Sequence, residues 1–129
     1  MRIILAIILS ALFFYCDTVI AGNFIYRKSL ECKVSTSGSS KDIFLSKKGS
    51  KFTLIDLDTK TPQRIGFKAA VTKFTVPFET DSTIVLFSIG TGTGSTDTVF
   101  LDKNSGKFSQ SFGGNFIESY GGYALGSCE

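Results

Sequence analysis

Asp97-Thr98-Val99-Phe100-Leu101-Asp102-Lys103-Asn104-Ser105-Gly106-Lys107-Phe108-Ser109-Gln110-Ser111-Phe112 is the stretch that decides the fold class. Two alternating runs flank a polar turn ending in Gly106, a residue that takes φ > 0 without steric cost. Val99 and Leu101 face one way and Phe100 the other; past the turn, Phe108 and Phe112 share a face. The pattern predicts a β-hairpin. A lone hairpin is marginal in water, so the rest of the chain must supply the sheet it packs into.

Working outward from the hairpin, Thr83–Ile89 is nearly all apolar and β-branched and reads as a central strand. A flexible Gly/Thr loop, Gly90–Thr96, joins the two. Further upstream, Lys28–Val34, Asp42–Ser46, Phe52–Leu57, Arg64–Thr72 and Lys73–Phe78 read as strands. In Arg64–Thr72 the residues Ile65, Phe67, Ala69 and Val71 share one face, and Ala69-Ala70-Val71 is the alternative start of a short helix. The intervals are a Ser/Thr/Gly loop at Ser35–Ser40, a turn at Lys48-Gly49-Ser50 and a polar turn at Asp58–Gln63 containing Pro62. Pro77 lacks an N–H and suits an edge strand. Downstream, Asn115–Cys128 completes the set, and Gly113-Gly114 with Gly121-Gly122 read as bends or bulges of a curved strand. About eight short strands with regular turn signals predict an all-β antiparallel barrel, with a sandwich as the alternative.

The first residues predict export. Met1-Arg2 precede an apolar run, Ile3–Tyr15, broken by Asp17, and Val19 and Ala21 occupy the −3 and −1 positions of a small-residue cleavage site. A spanning helix needs about 20 apolar residues, so a cleaved signal over residues 1–21 is expected rather than a membrane anchor. Taking 21 residues from 129 leaves 108, residues 22–129, enough for one small domain. Arg2 and Asp17 leave together, so the net charge stays at +3. That mild charge and the export signal both disfavour nucleic acid as a partner.

Removing Cys16 with the signal leaves Cys32 and Cys128. In an oxidising compartment this pair reads as one disulfide joining the first and last strands, which lie side by side in an up-and-down barrel. A closed loop of about 100 residues corresponds to roughly 4–5 kcal/mol by chain entropy, a large share of a small domain's stability.

Catalytic chemistry has little to work with. The chain contains no His, so His-assisted nucleophiles and His-based metal sites are absent from it, and no cofactor or metal is expected. Asp56 and Asp58, two apart, would share a face on a strand, a spacing compatible with paired-acid hydrolysis. Asp58 opens a turn, however, and Asp is a common turn residue because it bonds its own backbone. Glu79 and Asp81 read the same way. Gly90-Thr91-Gly92-Thr93-Gly94-Ser95-Thr96 lacks the Gly-Lys-Ser/Thr and the helix of a phosphate loop, which leaves Thr91 and Thr93 as candidate contact residues on a loop. Lys47 and Lys48, with Lys51, form the only local cationic cluster, read as a solvated turn first and a polyanion contact second. Of the 13 Phe, Phe13 and Phe14 leave with the signal and eleven stay, matching a Phe-filled β core or, alternatively, an apolar ligand cavity. Tyr120 and Tyr123, beside glycines, are the candidate exposed contact anchors.

Leu101-Asp102-Lys103-Asn104-Ser105-Gly106-Lys107-Phe108, followed by Gly126-Ser127-Cys128-Glu129, resembles a pattern in small uncharacterised secreted proteins of Gram-negative bacteria. In those a similar hairpin precedes a terminal Gly-x-Cys that pairs with an early cysteine. The match covers about the last third of the chain and Cys32, and it implies a periplasmic β-domain with one disulfide and brings no activity. The expectation from all of this is a periplasmic or extracellular, non-catalytic binding domain acting through loop surfaces. Its partner would be a protein, such as an envelope enzyme that it inhibits, or a cell-envelope polymer. Carriage of a small apolar ligand in the barrel interior is the alternative, and a carboxylate-only hydrolase the third reading.

Overall fold

The computed structural model describes residues 23–40, 47–66, 69–116 and 118–129. Among the described residues nine strands form one antiparallel sheet: β1 (Leu30–Ser39), β2 (Lys51–Ile55), β3 (Gln63–Ile65), β4 (Val71–Lys73), β5 (Thr75–Glu79), β6 (Thr83–Ile89), β7 (Thr96–Asp102), β8 (Lys107–Phe116) and β9 (Glu118–Cys128). Their order, β4-β3-β2-β1-β9-β8-β7-β6-β5, curls into a nearly closed barrel. Every neighbour is also a neighbour in sequence except β1 and β9, which bring the two ends of the domain together. Cys32 and Cys128 are direct partners in that ladder and are bonded. The barrel, not the sandwich, is the fold.

Successive antiparallel pairings give β4 and β5 the same direction, and only Phe74 separates them. Residues 71–79 are thus one bent strand: its first half pairs with β3, its second half with β6. Counted this way the barrel has eight staves. Phe74 marks the corner, its N–H donating to the Pro62 carbonyl and its ring buried in the core. Pro77 lies in β5, an edge of the sheet, where its missing N–H costs no ladder bond.

The opening hairpin is β7–β8. Val99, Leu101 and Phe108 are buried and Phe100 points outward. Gly106 sits at φ 75, and the Asp102 carboxylate accepts from the N–H groups of Asn104 and Ser105, closing the turn. Those backbone donors, Asn104 first, hold the Asp102 carboxyl below its ordinary range. Leu30, Val34, Leu54, Ile84, Leu86 and Ala124 complete the core. The segment before β1 covers the disulfide end, with Phe24 and Tyr26 packed against that core.

Several strand expectations change. The Lys28–Val34 strand begins at Leu30 and runs on to Ser39, so the expected Ser35–Ser40 loop is mostly strand. After a bulge between Val34 and Thr36 it pairs with Gly122–Leu125, a non-local ladder that overrides its loop-like composition. The expected Arg64–Thr72 strand is instead a hairpin, β3 to β4, pairing Ile65 with Val71. Ala69 lies in that turn at φ 58, a conformation its residue type does not announce, and Val71, where the alternative helix would continue, is already strand. The expected strand Asp42–Ser46 and the expected signal, residues 1–21, lie outside the described residues.

The glycine pairs are not bulges either: β8 and β9 keep one register from Lys107↔Ser127 to Phe116↔Glu118. On the inner face Phe108 lies opposite Gly126 and Phe112 opposite Gly122, and a Cβ on either glycine would strike the facing ring. Gly114 likewise faces Tyr120. These glycines make room for cross-strand aromatics.

Candidate functional site

The barrel interior changes character along its length. At the disulfide end it is filled by Leu30, Leu54, Ile84, Leu101 and Phe108. A charged pair crosses it further along. Arg64 Nη2 of β3 donates to Asp97 Oδ2 of β7 at 2.6 Å, and Gln110 Nε2 of β8, 5% exposed, donates to the same carboxylate at 3.0 Å. The guanidinium also reaches Thr72 Oγ1 at 3.3 Å and lies 5.9 Å from the Phe52 ring centroid and 5.4 Å from that of Phe74. Arg64 Nη1 is buried without a hydrogen-bond partner. Asp97 was legible only as the start of a strand; its partnership spans 33 residues and has no local signal.

The outer face of β5–β9 has the opposite chemistry. Phe78, Val85, Phe100, Ser109 and Leu125 are successive register partners across five strands. Phe78 is 54% exposed, Phe100 47% and Leu125 44%. In the adjoining row Phe87, Thr98, Ser111 and Tyr123 are partners, and Tyr123 is 48% exposed with its ring over Gly38. At about 4.8 Å per strand the first row spans roughly 19 Å. The row is apolar except at Ser109 and lies on the outside of the barrel.

The sequence-predicted residues fall in three places. Tyr123 is on this outer strip, whereas Tyr120 is half-buried on the inner side, opposite Gly114 at the β8–β9 tip. Thr91 and Thr93 are exposed on the β6–β7 loop at that same end, where Thr93 Oγ1 donates to Ser95 Oγ at 2.9 Å and Gly94 takes φ 67. Lys47 and Lys48 are exposed in the turn before β2, closed by Ser50 N–H to the Lys47 carbonyl at 2.9 Å with Gly49 at φ 89. Lys48 lines an open depression of about 580 Å³ with Lys33, Val34, Ser35, Gly49 and Ser127. Lys33, between Cys32 and Val34 in β1, carried no signal in the sequence because its basic neighbours arrive from other strands.

Asp56 and Asp58 are exposed in the turn after β2, Asp56 at φ 56, so the shared strand face that pairing them required does not exist. Glu79 instead accepts from Lys103 Nζ at 2.7 Å. The same ammonium lies 4.9 Å from the Tyr26 ring centroid. Tyr26 Oη is buried without a partner, and burial, helped by the negative charges of Glu79 and Asp58, pushes its pKa up to about 12. Among the described residues no group of three or more Asp, Glu or Cys gathers in a metal-binding arrangement. Among the described residues no helix is long and apolar enough to cross a membrane.

Comparison with known protein families, with curated proteins and with solved structures found no match to this chain.

Proposed function

We propose that this protein is an exported, non-catalytic binding domain that docks a partner protein through the outer face of β5–β9. The observation that carries the reading is the row Phe78–Val85–Phe100–Ser109–Leu125, with Tyr123 beside it. Solvent-facing strand positions are ordinarily polar, and large rigid aromatics there are the residue types that anchor protein interfaces. The Cys32–Cys128 disulfide is compatible with an oxidising periplasmic or extracellular location. Carriage of an apolar ligand draws less support, because the interior is filled at one end and crossed by Arg64 and Asp97 further along.

The test is capture from an envelope extract of the host, with the disulfide intact. A partner retained by the native protein and lost by Phe100→Ser/Leu125→Ser, with unchanged circular dichroism, supports the proposal. Equal retention by both would remove it. Native mass spectrometry of the purified protein separates the alternative: extra mass of lipid size makes it a carrier.

A further inference from the structure

A second surface carries its own chemistry. Lys107, Ser127, Lys33 and Lys51 are successive register partners on the outer face of β8, β9, β1 and β2. All four are exposed, and Lys48 stands above this row on the turn that Gly49 allows. Lys33 directly opposite Lys51 is a like-charge cross-strand pair, an arrangement that destabilises a sheet. Among the described residues no carboxylate lies within ion-pair distance of Lys33, Lys48 or Lys51. At the far end of the row Asp102 lies across the β7–β8 turn from Lys107, whose charge helps hold that carboxyl low, so the uncompensated cations are Lys33, Lys48 and Lys51; Glu31 and Glu129 bond backbone to backbone one step below the row. The depression opens on the other side, between Lys33 and Lys48, floored by Val34 and edged by Ser35 and Ser127.

We propose that this depression and row form a binding site for a linear phosphate-bearing polymer. One phosphate sits between Lys33 and Lys48, and its neighbours along the polymer follow the row toward Lys107. The cations extend over three strand spacings, roughly 14 Å, too wide for a single inorganic phosphate and suited to a repeating one. The row contains no Arg, so it meets each phosphate through lysine point charges and not through a bidentate fork. No aromatic side chain lies in the row to stack a base, which separates the site from one for single-stranded nucleic acid.

The test is fluorescence anisotropy of end-labelled linear polyphosphate titrated with the full chain, disulfide intact. Binding is expected to weaken by a factor on the order of tens between about 50 and about 200 mM salt, as four or so phosphate contacts require. Lys33→Gln/Lys48→Gln is expected to lose about tenfold in affinity, one contact each being worth a few-fold at moderate salt. Lys60→Gln/Lys73→Gln, which removes the same charge from exposed positions elsewhere, is expected to leave affinity nearly unchanged, as is Phe100→Ser/Leu125→Ser. Equal losses in the two lysine pairs would reduce the site to net charge and overturn the proposal. So would absence of binding at low salt, tighter binding of a polyuronate than of polyphosphate, or capture by phosphatidylglycerol vesicles in place of the polymer. The outcome is independent of whether a protein partner is found for the apolar face.

Discussion

The barrel closes in two places, at the β1–β9 junction and at the bend around Phe74, and the two are built differently. At the junction the joined segments are far apart in sequence, so closure carries the full loop entropy of the domain. It is matched there by a long ladder, by the disulfide across a separation of 96 residues, and by glycines under the Phe108 and Phe112 rings. At Phe74 the two edge strands are already continuous in the chain, so no ladder between them is needed. One buried ring and the Arg64–Asp97 bridge across the interior suffice to hold the corner. The covalent cross-link sits where sequence distance is greatest.

The largest effect that could break this contrast is loss of the disulfide. Cys32→Ser/Cys128→Ser is expected to lower the unfolding free energy by about 4 kcal/mol, read from urea denaturation. A loss under about 1 kcal/mol would mean the ladder alone secures the junction. Next, Phe74→Ala is expected to cost about 3–4 kcal/mol as a buried ring is removed. Amide exchange should then rise in β4 and β5 while β1 and β9 stay protected; uniform loosening would show that the corner is not a local device.

Arg64 sharpens the same point. Arg64→Ala strands the Asp97 carboxylate with Gln110 alone and is expected to cost about 2 kcal/mol, below the range for a fully buried pair because both side chains keep some solvent access. Arg64→Met, which loses the charge and keeps the packing against Phe52 and Phe74, is expected to be milder. If the two variants are equal, the bridge matters as charge and not as filler. The smallest effect belongs to Tyr26, under the disulfide end. Its raised pKa means that the unfolded chain loses its proton first, so stability is complete below pH 10 and falls as pH rises toward about 12. Tyr26→Phe should remove that decline in alkaline urea titrations, and a decline of the same size in the variant would assign it to another group.

What was legible in the sequence follows the range of the interactions. Val99, Phe100 and Leu101 alternate within one strand, and the Gly106 turn is local, so the hairpin could be read directly. Ser35–Ser39 could not: its strand state is imposed by β9, roughly ninety residues away. Arg64–Thr72 misled because its alternation stays in phase through a turn made by Ala69, a residue with no turn preference of its own. The outer strip was half visible. Tyr123 stood out beside its glycines, but Phe78, Phe100 and Leu125 become a surface only when the register aligns them. The basic row is the same case, with Lys33 and Lys107 joining Lys48 and Lys51 from separate strands.

The pairing of β1 with β9 also bears on how the chain is made. The first strand to leave the ribosome must wait for the last, and Cys32 meets no partner until Cys128 has been added. Until then the growing sheet exposes the bare edges of β1 and of whichever strand was finished most recently, together with an apolar inner face. Those are the surfaces that a holding chaperone recognises and that neighbouring nascent chains can pair with. This small barrel therefore keeps those surfaces bare until β9 is available to pair with β1.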